Sequence, residues 1–207
     1  MSNQHAPPRL VATGLQSAYG GPFDLSIAEG ECVGVLGRSG SGKSVLLRLI
    51  ADLDPGEGRV YLDGKSRDTF TAPEWRRRVV YQAAEPAWWA PTAGAHFPVS
   101  AEARPVSQWM AALDLAPELL GVDISRLSTG ERQRLALLRS LARAPSVLML
   151  DEPTSSLDHA SALAVERVLQ AEMKSGMAML LVSHSREQAR RMTRRCYDME
   201  DGRLQPS

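Results

Sequence analysis

Eight residues constrain this chain more than any others: Gly37–Ser44, GRSGSGKS, which fit the pattern G-x-x-x-x-G-K-[ST] at every position. The pattern works between a strand and a helix, and its flanks comply. Glu31–Gly37 (ECVGVLG) is a compact apolar run suited to a buried strand. Beyond the loop, Val45, Leu46, Leu49, Ile50 and Leu53 recur at helical spacing. Glycines free of Cβ let the backbone N–H groups of Gly37, Arg38, Ser39, Gly40, Ser41 and Gly42 curl around a phosphate. The following helix adds its positive N-terminus. Lys43 is expected to reach the β- and γ-phosphates of a nucleotide, and Ser44 to offer its hydroxyl to Mg²⁺. A flexible Gly-Ser turn would explain neither Lys43–Ser44 nor the flanking elements.

Ser146–Asp158 (SVLMLDEPTSSLD) supplies the acidic counterpart. An apolar strand ending in Asp151 sets a carboxylate beside the phosphate loop, where it can hold Mg²⁺ through water. Glu152 follows, points differently, and can accept a proton from an attacking water. His184 closes LLVSH at the end of a further strand, in a position to meet the γ-phosphate.

The bulk numbers narrow the partners. Lys and Arg number 24 against 24 Asp and Glu, so formal net charge is zero. That removes the whole-molecule attraction to nucleic acid or acidic lipid, and no nucleic-acid partner is expected. The basic runs Arg76–Arg78 and Arg190–Arg195 read as solvated helix faces. Cys32 and Cys196 lie in apolar, strand-like segments and read as small buried hydrophobes, not as a disulfide. The opening MSNQHAPPRL lacks the apolar core of a secretory signal, and no run approaches membrane-spanning length. A cytoplasmic location is expected, with any membrane role exercised through a partner.

Along the chain, Arg9–Gly30 reads as two alternating strands joined by a turn at Gly20–Gly21. GRVYLDGK is a strand into an Asp63–Gly64 turn, and Arg78–Gln82 another strand. Residues 83–105, rich in proline, alanine and aromatics, read as irregular. Helical patterns occupy roughly 106–144, up to Pro145. Then follow a strand (SVLML), a helix from Asp158 to Lys174 closed by Gly176, a strand (MAMLLVSH), a helix (SREQARRMTRR) and a last strand and turn (CYDMEDGRL). Alternation of strands and helices predicts an α/β fold with a mostly parallel sheet. The expected division is a nucleotide-binding core, residues 1–82 and 145–207, interrupted by a helical lobe at about 83–144.

Leu127–Arg134 (LSTGERQR) poses a question, because Ser128, Thr129 and Gly130 look built to hold a second anion. Ser128-x-x-Glu131 is also a capping box for the helix that follows, and the two readings are compatible. Taken in order, GRSGSGKS, LSTGE, VLMLDEP, SSLD and VSH resemble the ATP-binding subunit of ATP-binding-cassette (ABC) transporters, over nearly the whole span Arg9–Leu204. The resemblance implies a P-loop NTPase fold of the ABC ATPase type, with an N-terminal antiparallel strand region. It implies ATP and Mg²⁺ as ligands, and a homodimer in which Ser128 and Gly130 of one copy contact the nucleotide on the other's phosphate loop. It places Asp158 at the dimer seam and Tyr19 where an aromatic stacks on adenine, although a packed strand tyrosine is the other reading. It also implies a separate transmembrane permease, with the ATPase peripheral on the cytoplasmic face.

The departures matter as much. Thr129 and Glu131 stand where the family signature LSGGQ has glycine and glutamine, and Glu131 is expected to fold back onto its own cap. The family places a metal-sensing glutamine two residues before a proline; counted back from Pro86 that slot is Ala84. Gln82 in a strand would point to the same face about 6.6 Å upstream. Trp88, Trp89 and Phe97 lie where the permease would dock, or else they form a small core under the lobe. The small inserted lobe and LSTGE hint at compact metal-export ATPases; the alternative class is a soluble ABC ATPase such as an iron–sulfur assembly component.

Overall fold

Strand β3 (Cys32–Leu36), buried at every residue, is the axis of the fold. The computed structural model describes residues 8–97 and 105–207; Met1–Pro7, and with them most of the opening stretch, lie outside the described residues, as does part of the irregular segment. Two sheets are present. The six-stranded sheet runs β10-β9-β3-β8-β7-β6, comprising β6 (Val79–Gln82), β7 (Val147–Asp151), β8 (Ala178–Ser183), β9 (Arg195–Glu200) and β10 (Arg203–Pro206) around β3. All its pairings are parallel except β9 with the edge strand β10. The second sheet, β2-β1-β4-β5, is antiparallel: β1 (Pro8–Ser17), β2 (Gly20–Ala28), β4 (Glu57–Leu62) and β5 (Lys65–Ser66).

Strand alternation splits the core into two. Val33, Val35, Val147, Met149, Leu180 and Val182 face the antiparallel sheet and the helix α1 (Lys43–Ile50). Leu148, Leu150, Met179 and Leu181 face the opposite way, onto α3 (Val106–Ala112), α4 (Thr129–Leu141) and α5 (His159–Lys174). The short helices α2 (Ala72–Arg78) and α6 (Arg186–Met192) complete the set. The result is the α/β architecture with a mixed, mostly parallel sheet and an antiparallel strand region that the sequence predicts.

Three local expectations need correction. The first hairpin turns at Ala18–Tyr19, because Ser17 pairs with Gly20 and both glycines belong to β2. Gly21 is needed there for close approach: at φ +114, a Cβ would lie 2.7 Å from Leu15 O. The segment 106–144 is not one run of helix. Asp114, at φ +52, ends α3, and short 3-10 turns at Pro117–Gly121 and Ile124–Arg126 precede α4. The basic SREQARRMTRR segment is helical only to Met192, and Arg195 already pairs in the sheet. Cys32 and Cys196 are free thiols, Cys32 buried and Cys196 half-buried.

Trp75 locks α2 to the core. It is fully buried, and its Nε1–H donates to Ile50 O at 2.9 Å. Trp75→Ala should lower unfolding free energy by about 4 kcal/mol, read from urea denaturation.

Candidate functional site

The loop after β3 is shaped by its glycines. Gly37, Gly40 and Gly42 have φ of +155, +78 and +106, and a Cβ on Gly37 would lie 2.5 Å from Met199 O. Gly42 is the N-cap of α1 and offers no side chain, so the first N–H groups of that helix remain open to an anion. The loop is clasped from outside. Gly202 N–H donates to Ser41 O at 3.1 Å, and Gly21 N–H to Gly202 O at 2.8 Å, joining the loop, the β9–β10 turn and the first hairpin.

Lys43 is buried. Its ammonium donates to Gly37 O at 2.8 Å and Arg38 O at 2.7 Å, so two of its three N–H groups hold the loop's own shape. Ser44 Oγ–H donates to Asp151 Oδ2 at 2.6 Å, across 107 residues of sequence. Tyr81, which sequence reasoning did not single out, donates its hydroxyl to the same Oδ2 at 3.3 Å. Burial, reinforced by the Asp151 charge, pushes the Tyr81 phenol up to about 12, so it stays a donor. Glu152 Oε2 and His184 Nδ1 are hydrogen-bonded, which leaves Nε2 of the imidazole uncommitted by that contact.

Apart from Tyr81, these residues line two cavities that share Tyr19, Ser39 and Gly40. A cavity of about 570 Å³ is lined by Tyr19, Ser39, Gly40, Lys43, Ser44, Ala84, Asp151 and Glu152. A second, of about 950 Å³, takes in Tyr19, Gly37, Arg38, Ser41 and His184. Tyr19 is 82% exposed in the hairpin turn, which removes the packed-tyrosine reading. Ser128, Gly130 and Asp158 are not among the residues lining either cavity.

Gln82 ends β6 beside Leu150, one residue before Asp151 in the parallel register. It is 4% exposed, and its Oε1 has no hydrogen-bond partner; the same holds for Ser41 Oγ. Ser41 lines the second cavity, whereas Gln82 lines neither and pairs with Leu150 of the helical-layer core. Ala84 lines the cleft but carries only a methyl group.

The LSTGE segment forms the N-terminus of α4. Ser128 Oγ accepts from Glu131 N at 3.2 Å, and Ser128 N donates to Glu131 Oε2 at 2.7 Å, a complete capping box. Glu131 therefore does fold back. Asp158 caps α5 with its side chain alone, accepting from Ser161 N at 2.9 Å. Gly130 has Leu157 beside it, 3.3 Å from where a Cβ would be. In the irregular segment, Trp88 and Phe97 pack on the helical-layer core, while Trp89 is 71% exposed. Arg139 lies 4.7 Å from the Trp88 ring centre and 5.0 Å from that of Trp89.

Fold and loop together define an α/β protein of the P-loop nucleotide-binding class. The family model described as ABC transporter matches residues 21–155. The chain belongs to that family, and it is an ATP-binding subunit of an ABC transporter, with ATPase activity. It is 35% identical to the aliphatic sulfonates import ATP-binding protein SsuB 2 of Frankia alni, over 94% of this chain and 78% of that one. It is 36% identical to the lipoprotein-releasing system ATP-binding protein LolD of Aquifex aeolicus, over 88% and 87%. It is also 36% identical to Protein STAR1 of Oryza sativa subsp. japonica, over 82% of this chain but only 51% of that protein's length. Among solved structures, an ATP-binding subunit of an ABC transporter superposes with TM-score 0.86 at 20% identity, covering 96% of this chain and 89% of the other. A dimeric post-hydrolysis cassette bound to ADP and Pi gives 0.79 at 24%, covering 96% and 97%.

The capping box makes a pH prediction. Hydrogen bonds from Ser128, the backbone N–H first, hold the Glu131 carboxyl below its ordinary 4.5. A lowered folded-state value means the cap contributes fully above the unfolded value and is lost as pH falls through the folded one. A side-chain NMR titration should place Glu131 below 4.5, and Ser128→Ala should move it back up.

Proposed function

We propose that the chain hydrolyses ATP in a site shared between two copies and uses the closing and opening of that dimer to drive a separate membrane permease. The supporting observation is a division of parts. The phosphate loop, Asp151, Glu152 and His184 line two cavities that share Tyr19, Ser39 and Gly40, whereas the capped N-terminus at Ser128–Gly130 lies outside both. A two-fold pairing would bring each signature to the other copy's nucleotide and give both sites the same chemistry. Asp158, exposed at the start of α5, would lie at the seam.

Within one site, Gly37–Gly42 and the α1 N-terminus would cradle the phosphates, Lys43 would spend its third N–H on them, and Tyr19 would stack on adenine. Glu152 would take a proton from water as the water oxygen attacks the γ-phosphorus and the bond to ADP breaks, releasing ADP and phosphate. His184 holds the Glu152 carboxylate in place and can present Nε2 toward the γ-phosphate. The donor set suits Mg²⁺, which favours hard oxygen ligands. Ser44 and Asp151 would hold it. Bound there, the ion would neutralise charge on the phosphates.

Exposed Trp89 is a suitable anchor for the permease. Among the described residues no helix is long and apolar enough to cross a membrane, so attachment to the cytoplasmic face would come through that partner. Names of the relatives point to sulfonate import and lipoprotein release, which favours a transporter over a soluble assembly ATPase. None of those names refers to a metal, and a metal-export role rests on the small inserted lobe and the LSTGE resemblance.

Glu152→Gln should cut hydrolysis by about 100-fold or more while keeping ATP binding, and with ATP and Mg²⁺ it should sediment as a dimer. A variant that binds ATP yet stays monomeric at high ATP would contradict the shared site.

A further inference from the structure

Gln133 stands outside the cleft, yet it holds the residue on which the chemistry depends. It is the fifth residue of α4 and 3% exposed. Its Nε2 donates to Glu152 O at 3.1 Å, while its Oε1 accepts from Ser156 Oγ at 2.6 Å and Ser156 N at 3.4 Å. The amide orientation is fixed by its partners, since a carbonyl can only accept and a backbone N–H can only donate.

Glu152 needs such support. Its φ of +49 lies in the left-handed region, which is costly for a residue with a Cβ. The N–H is pinned to Val182 O at 3.0 Å, so Gln133 secures the other side of the same residue. Ser156 belongs to the turn between Glu152 and Asp158, whose Leu157 lies against Gly130. The capped start of α4 at Ser128 is therefore joined through one amide, about 7.5 Å further along the helix axis, to Glu152 and to the Asp158 turn. Leu135, Leu138 and Leu141 are fully buried on the same helix, so close packing along α4 can transmit a displacement of its N-terminus.

We infer that Gln133 is a positioning residue that couples the two nucleotide sites: a nucleotide engaged by Ser128–Gly130 on the partner copy shifts α4, and Gln133 passes that shift to the Glu152 of its own site. This rests on the shared-site reading above. Each carboxylate is then better set for catalysis when the opposite site is filled, which makes hydrolysis cooperative in ATP.

The test compares wild type, Gln133→Leu, Gln133→Glu and Glu152→Gln by ATP affinity, thermal unfolding, kcat and the Hill coefficient of hydrolysis. Leucine keeps the volume and removes both bonds; glutamate still accepts from Ser156 but has no donor for Glu152 O. Both Gln133 variants should lose about tenfold or more in kcat, the scale of one lost hydrogen bond. Their Hill coefficient should fall from between about one and two toward one, while ATP affinity stays within about threefold and the proteins remain folded. An unchanged kcat and Hill coefficient would overturn the inference. So would a parallel loss of kcat, ATP affinity and thermal stability, which marks a packing role only. Glu152→Gln separates the two levels: if it hydrolyses ATP like wild type, the assignment of the base fails, whereas an inactive Glu152→Gln beside a normal Gln133→Leu removes only the coupling role.

Discussion

Parallel pairing of β6, β7, β8 and β3 is the constraint from which the site follows. In-register partners such as Leu36 with Ser183, Asp151 with Val182 and Gln82 with Leu150 bring the carboxyl ends of four strands to one edge. Parallel strands must be joined by crossovers, so residues far apart in sequence emerge side by side at that edge. The glycine loop leaves β3, the Asp151–Glu152 pair leaves β7, His184 leaves β8 and Gln82 ends β6. The Ser44–Asp151 hydrogen bond closes the arrangement between segments that share no local contact.

The site's strain is concentrated where ligands would bind and is offset nearby. Glycine absorbs it at Gly40 and Gly42, where nothing but backbone is needed. Glu152 carries the carboxylate proposed as the base, and its left-handed backbone is held by Val182 on one side and Gln133 on the other. A similar economy appears in α4, whose capping box satisfies its own first turn while leaving Gly130 small enough to lie close to Leu157.

Much of this was legible in the sequence where chemistry is carried by consecutive residues. The phosphate loop, the DE pair and the Ser128-x-x-Glu131 cap each state their geometry within a few positions. Legibility failed where geometry is set across the fold. Gly20–Gly21 has turn composition but serves a close backbone approach within β2. The apolar spacing of residues 106–144 suggests helix, whereas Asp114 and Pro117 break it into short pieces. Ala84 fills the slot counted from Pro86, yet the buried amide oxygen belongs to Gln82, at the strand end. Tyr81 and Gln133 act on partners 70 and 19 residues away, and no local pattern marks either.

The central claim is that one catalytic site needs two copies of the chain, and mixing two inactive variants tests it most directly. Lys43→Ala disables the loop and Gly130→Trp blocks the signature; alone, neither protein should hydrolyse ATP. Mixed, the heterodimer combines an intact loop from one copy with an intact signature from the other. The account requires ATPase activity to return in the mixture, above the sum of the separate proteins. Activity that stays at that sum, with both variants still folded and the Gly130→Trp protein still binding ATP, would contradict it.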